Sequence, residues 1–301
     1  MPVWCPFTIL YFGILTCNAS LPQWTPGHTC VNAMTLEAPY PSRIALMRAA
    51  ISYHALYYGS LILACCRAIS VVRPRSFLDA LRMVRLIHRV KPYTAVFVPR
   101  LAALHGLSRD IQRRGVPGDI VECGVYNGGS SALIAAVCCT HSSARRHIWL
   151  FDSFEGLPPP TEKDGDKAKV CGWWCHGDLE LVSRVYDKLC IPRELVHVVK
   201  GWFYETFPQV EVGDIALLHI DADWYDSVKL CLERFYDQVS PGGYVVIDDY
   251  GHWEGCRRAV DEFLASRSVG VPLTVVDYTG RYFQKPGFPT ADAPSVLACG
   301  A

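Results

Sequence analysis

The sequence predicts an α/β fold, a doubly wound, mostly parallel sheet of seven strands preceded by an N-terminal helical extension. Three observations predict it. Short apolar runs such as HIWLFD at 147–152, IALLHID at 215–221 and GYVVID at 243–248 lack the alternation of one-sided strands, so both faces are covered. Stretches of helical period separate these runs. The runs end in Gly or Asp, at the strand termini where open α/β sheets bind ligands.

In chain order, Pro74 to Arg114 reads as amphipathic helix, with Phe77, Leu78, Leu81, Val84, Leu86 and Ile87 at helical spacing and Arg82, Arg85 and Arg89 on a solvated face. Lys91-Pro92 breaks it, and a further helix runs from Pro99 to Arg113 and stops at Gly115. Asp119 to Val125 is the first strand and Gly128 to Thr140 a helix. His147 to Asp152 is the second strand and Asp178 to Leu189 a helix. Leu195 to Lys200 is the third strand and Ile215 to Asp221 the fourth. A helix over Tyr225–Val239, a fifth strand over Gly243–Asp248 and a helix over Gly255–Ser266 follow. Leu273–Tyr278 and Arg281–Lys285 flank Thr279-Gly280 and form an antiparallel hairpin, which brings the strands to seven.

The chain has 301 residues, with 29 basic and 29 acidic side chains. A zero net charge argues against retention on nucleic acid by an overall basic field. Half of the residues are apolar and 19% are charged, which excludes a disordered chain. Fourteen cysteines without zinc-finger spacing read as mostly buried, reduced thiols. We divide the chain into a leader (1–42), a helical region (43–114), the α/β domain (115–290) and a tail (291–301). Val3–Cys17 is apolar and partly signal-like but lacks a basic n-region, and Ala49–Cys66 is uncharged but carries Ser, His and Gly. A buried helix is favoured over a membrane span for the second, and the cytoplasm is the expected compartment.

The strand ends carry the chemistry. Glu122-Cys123-Gly124 opens a glycine-rich turn into a helix whose N-terminus faces the same spot. The pattern is not G-x-G-x-x-G, and an acid here would repel a pyrophosphate but suits the cationic amino-acid part of S-adenosylmethionine. Asp152, ending the second strand, can accept from both ribose hydroxyls of a nucleoside or can serve as a helix cap. Asp221 and Asp223 end the fourth strand and, at i and i+2, share a face; Asp248 and Asp249 end the fifth. Four converging carboxylates repel one another, and no Lys or Arg lies beside them in sequence. An all-oxygen set suits Mg²⁺ or another hard divalent cation, whereas side chains splayed apart, or an arginine already neutralising them, would end that reading. His176, His219 and His252 fall near the same edge.

On these residues the sequence resembles the macrocin O-methyltransferase (TylF/MycF-type) family, from about Tyr93 to Lys285. GDIVECGVYNGGSS, FDSFEGLP, GWF with TFP behind it, HIDADWYDS, PGGYVVIDDYG and GCRRAVDEF carry the resemblance, in that order. It implies a Rossmann-like, class I methyltransferase fold that moves a methyl group from S-adenosylmethionine to a sugar hydroxyl. It further implies Mg²⁺ on Asp221, Asp248 and Asp249, Asp223 as general base, and a cofactor site lined by Tyr93, Thr94, Glu122, Gly124, Ser130, Asp152 and Ser153. Gly156–Gly177 would be a substrate lid; its Cys171, Trp173, Trp174 and Cys175 depart from the family. The expected partner is a small hydroxyl acceptor, with a homo-oligomer as the expected assembly. The rival readings are a glycosyltransferase using Asp221-Ala222-Asp223 as a D-x-D site, and a non-catalytic scaffold tethered through the apolar N-terminal region.

Overall fold

In the computed structural model, residues 77–141, 145–169 and 175–287 are described. The leader, the apolar segment at 49–66, the tail and the lid residues 170–174 lie outside them. Helix α1 (Phe77–Val90) and helix α2 (Val98–Arg114) are joined by a 3₁₀ turn over Lys91–Tyr93. Gly115 ends α2 at a positive φ of 64°, the left-handed stop that glycine adopts without penalty.

Strand β1 (Asp119–Cys123) leads to α3 (Gly129–His141), β2 (Ile148–Asp152) and a single turn, α4 (Asp166–Lys169). Then come α5 (Leu179–Lys188), β3 (Val196–Lys200), the turn α6 (Phe203–Thr206) and β4 (Ile215–Ile220). The chain closes with α7 (Tyr225–Phe235), β5 (Val239–Ile247), α8 (Glu254–Ser266), β6 (Thr274–Val275) and β7 (Arg281–Gln284). The sheet has seven strands in the order β3-β2-β1-β4-β5-β7-β6. Only the pairings of β7 with β5 and β6 are antiparallel.

Alternation along each strand divides the core. Ile120, Ile148, Leu150, Leu217 and Val246 face a layer that holds Met83, Ile87, Leu101, Leu104, Leu133 and Val185. Val121, Phe151, Leu218, Val245 and Ile247 face the other way, onto Val228, Leu232, Phe235, Val260 and Phe263. Both faces are therefore dry, as the unbroken apolar runs require. β5 starts earlier than the sequence suggested: Val239 already pairs with Ile215, and the register shifts before Leu217 meets Tyr244. The Pro241-Gly242-Gly243 run is a bulge in that strand, not the loop before it.

β1 has β2 on one side and β4 on the other. Strand order reverses there, so the C-terminal ends of β1, β4 and β5 frame the ligand position of such folds. Among the described residues no helix is long and apolar enough to cross a membrane.

Candidate active site

The glycine turn after β1 owes its glycine to backbone packing. Gly124 has φ 87°, and a Cβ there would run into the carbonyl oxygen of Asp221. Turn and acid loop are thus pressed together, and Asp221 N–H donates to Cys123 O at 2.8 Å. Gly129 opens α3 against Val90 and Thr94, so the Tyr93–Thr94 turn sits on the helix N-terminus. Ser130 is buried in the first turn of α3.

Asp152 holds the same turn from β2. Its Oδ2 accepts from the N–H groups of Val125 and Tyr126 at 2.7 and 2.8 Å, and its Oδ1 from Phe154 N–H at 2.6 Å. Burial raises its pKa while those three donors pull it back. Ser153 spends its hydroxyl locally, accepting from Glu155 N–H and donating to Gly156 O.

Glu122 is enclosed beneath the turn. Its side chain is fully buried, and its Oε1 lies 2.8 Å from Nδ1 of His219, its cross-strand neighbour on β4. Glu122 thus lies beneath the turn, joined to β4 through His219. From His219 a buried polar chain continues: Nε2 lies 3.6 Å from Asp248 Oδ1, and Asp248 Oδ2 is ion-paired with Arg100 of α2. Arg100 Nε reaches Asp277 at 3.2 Å. Sequence reasoning missed Arg100 because it stands 148 residues from Asp248. An arginine among the acids weighs against a cation, and this one pairs with both Asp248 and Asp277 while its charge pulls the carboxyls of Asp221, Asp223 and Asp249 downward. Asp248 Oδ1 and Asp249 Oδ2 are buried without a hydrogen-bond partner.

The acids do gather, though not by strand geometry. β4 ends at Ile220, and Asp223 comes round on a tight turn at φ 53°, with Trp224 N–H bonded back to Ala222 O at 2.6 Å. A positive φ is uncommon for a residue with a side chain, and Asp is among those that tolerate it. Carboxylate oxygens of Asp221, Asp223 and Asp249 lie within 4.8 Å of one another, and a ring nitrogen of His219 with oxygens of Asp221 and Asp248 forms a second such set. The expected trio of Asp221, Asp248 and Asp249 is therefore split between two groupings that share Asp221. Burial raises the Asp221 carboxyl. It also pushes Asp249 well up, reinforced by Asp223 and Asp221. Burial and then Asp221 push Asp223 up to about 7, against a 2.6 Å hydrogen bond donated by Trp253 Nε1.

His176 is exposed, and His252 packs on Trp253 with Lys167 3.1 Å from its Nδ1. Burial, then the charges of Asp223, Asp221, Asp249 and Asp152, push the Cys175 thiol up to about 12. This end of the expected lid thus lies near both the acid loops and Asp152.

Comparison with known proteins agrees with this geometry. The family model for macrocin-O-methyltransferase (TylF) matches residues 67–285. An 8-demethyl-8-(2,3-dimethoxy-alpha-L-rhamnosyl)-tetracenomycin-C 4'-O-methyltransferase of Streptomyces olivaceus is 33% identical over 208 residues, 66% of this chain and 79% of that protein. A demethyldecarbamoylnovobiocin O-methyltransferase of Streptomyces niveus is also 33% identical, over 64% of this chain and 76% of its own. The solved structure of the O-methyltransferase NovP superposes with a TM-score of 0.61 at 32% identity, covering 65% of this chain and 83% of that one. These matches do not favour the glycosyltransferase reading of Asp221-Ala222-Asp223. Sheet order, glycine turn, acid loops and matched span converge on one conclusion: the chain belongs to the macrocin-O-methyltransferase (TylF) family and is an O-methyltransferase.

Proposed function

We propose that the enzyme moves the methyl group of S-adenosylmethionine to a hydroxyl of a sugar or glycosylated natural product, with Asp223 as general base and a hard divalent cation at the acid loops. The single observation that carries the reading is the convergence of Asp221, Asp223 and Asp249 at the C-terminal ends of β4 and β5. The relatives' names support the acceptor class, since one methylates a rhamnosyl tetracenomycin and another mycinamicin III.

The donor would lie on the turn over Gly124–Ser130, with Tyr93, Thr94, Asp152 and Ser153 around it. Oδ1 of Asp152 takes only one backbone N–H, which leaves it a lone pair for a ribose hydroxyl. Glu122 acts from below, its negative charge complementing a sulfonium and an ammonium.

The grouping of Asp221, Asp223 and Asp249 fits a divalent cation: its donors are all oxygen, and Asp249 Oδ2 is buried without a hydrogen-bond partner. Asp221 and Asp249, which group with Asp223, would hold it, while the expected third ligand, Asp248, stands in the other grouping with His219 and is paired with Arg100. When bound, such an ion lowers the pKa of the acceptor hydroxyl. Asp223 then takes the hydroxyl proton on its carboxylate, oriented by Trp253. The test is a tritiated-methyl assay across neutral glycoside, macrolide and catechol acceptors, with and without chelator. Transfer to glycosides that stops on chelation and returns with Mg²⁺ is expected. Transfer indifferent to the chelator removes the cation, and transfer only to catechols removes the sugar.

A further inference from the structure

We infer that Asp164, in the segment expected to be a free lid, is a positioning residue that clasps both acid-bearing loops; the inference rests on the reading of those acids given above. Asp164 is 1% exposed, and among the described residues no Lys or Arg pairs with it. What holds its carboxylate is backbone. Oδ2 accepts from the N–H and the hydroxyl of Thr161, at 2.7 and 3.0 Å, which closes its own turn. Oδ1 leaves that turn and accepts from Tyr225 N–H at 2.7 Å.

Tyr225 begins α7, directly after Asp223-Trp224. Trp224, the cap residue, offers no side-chain acceptor to the helix, so an orphan N–H of the first turn is satisfied from 61 residues away. The same oxygen of Asp164 packs against Gly255 in the first turn of α8, where any Cβ would displace it. That helix also lacks a side-chain cap, and its cap residue, Trp253, is the one that donates to Asp223. One carboxylate thus touches the starts of both helices that follow the acid loops.

Neighbouring contacts repeat the pattern. Trp224 Nε1 donates to Pro158 O at 2.8 Å, Lys163 pairs with Asp226 at 2.8 Å, and Lys167 reaches His252 Nδ1 at 3.1 Å. Residues 158–167 therefore form a strap across the loops at 221–226 and 249–255, and its central atom pair is Asp164 Oδ1 with Tyr225 N. The strap sets how far Asp221 and Asp223 stand from Asp248 and Asp249.

Two variants test this in the full chain. Asp164→Ala removes the acceptor, while Gly255→Ala wedges the carboxylate aside without touching a polar group. Mn²⁺ and S-adenosylmethionine affinities are read by calorimetry, and backbone hydrogen exchange by mass spectrometry. Each variant is expected to weaken Mn²⁺ about 10- to 100-fold, as loss of groups supporting metal ligands does, with S-adenosylmethionine affinity within about twofold. Exchange should quicken in 221–228 and 249–256 together but not in the turn at 122–130, and Thr161→Val, which spares Oδ1, should change none of these. Wild-type exchange at both loops in both variants overturns the inference, as does loss of S-adenosylmethionine binding in step with Mn²⁺. If the unmutated protein takes no Mn²⁺, the cation reading falls and the exchange pattern alone decides the strap.

Discussion

Two sets of carboxylates end strands on the same edge of the sheet, and they are treated differently. Asp152 has a backbone donor on each oxygen, three N–H groups in all. Asp248 and Asp249 each keep a buried oxygen without a donor, and burial holds Asp221, Asp223 and Asp249 above the usual carboxylate range. An unpartnered buried acceptor is worth about 1–3 kcal/mol of lost stability. Asp152 is held by backbone donors, whereas the acid loops carry buried oxygens that no hydrogen bond reaches.

The difference is tested most severely at Asp223. Asp223→Asn keeps the shape and the acceptor for Trp253 but removes the base. Turnover should fall by about 10²- to 10⁴-fold, the usual share of a general base, with S-adenosylmethionine affinity unchanged by calorimetry. Retained turnover would show that the acceptor proton leaves by another route.

Arg100 separates the two sets next. It is the fixed cation of the acid region, buried between Asp248 and Asp277. Arg100→Gln strands Asp248, and breaking a buried pair in this way typically costs about 3–5 kcal/mol. Urea denaturation should show that loss without divalent ions, and a smaller loss in excess Mg²⁺ if a second cation can take over. An equal loss in both conditions would mean that Arg100 alone serves Asp248.

Asp152→Asn probes the backbone-held side. The amide offers one oxygen where three N–H groups now converge, so at least one backbone donor is left bare, at about 1–3 kcal/mol. Faster hydrogen exchange at Val125 and Tyr126 is expected, with the Mn²⁺ affinity of the acid loops untouched. A fall in Mn²⁺ affinity would erase the distinction between the two sets.

How much of this was legible follows from the same chemistry. Strands, their ends and the acids on them are local features, so Asp152, Asp221, Asp223, Asp248 and Asp249 could be read from apolar runs and the residues that stop them. The i,i+2 argument reached the right gathering by the wrong path, because Asp223 arrives on a left-handed turn after the strand has ended. Partners supplied from far along the chain left no local trace. Arg100 lay in a helix read for its ending and not for its charge, His219 was one of three undistinguished histidines, and Asp164 sat in a segment expected to move. The partner of Glu122 was equally hidden, because His219 comes to it across the sheet from β4.

The smallest effect concerns a cation beside the proposed donor site. Lys91 follows α1, donates to Thr94 O at 3.1 Å, and is pushed down to about 8, by burial first and by Arg100 second. Its folded pKa is thus below the ordinary 10.5 of the unfolded chain. The native state therefore releases this proton earlier, and the burden of burying the ammonium, present in full below pH 8, is relieved as pH rises toward 10.5. The wild type should gain stability across that window relative to Lys91→Met, which has no proton to lose. Comparing urea midpoints of the two proteins at several pH values isolates Lys91, since every other titrating group is common to both. Parallel curves would mean that Lys91 is solvated and that the Tyr93–Thr94 turn is held by Gly129 packing alone. Convergence with rising pH would make Lys91 a buried charge that the fold tolerates by letting it go neutral.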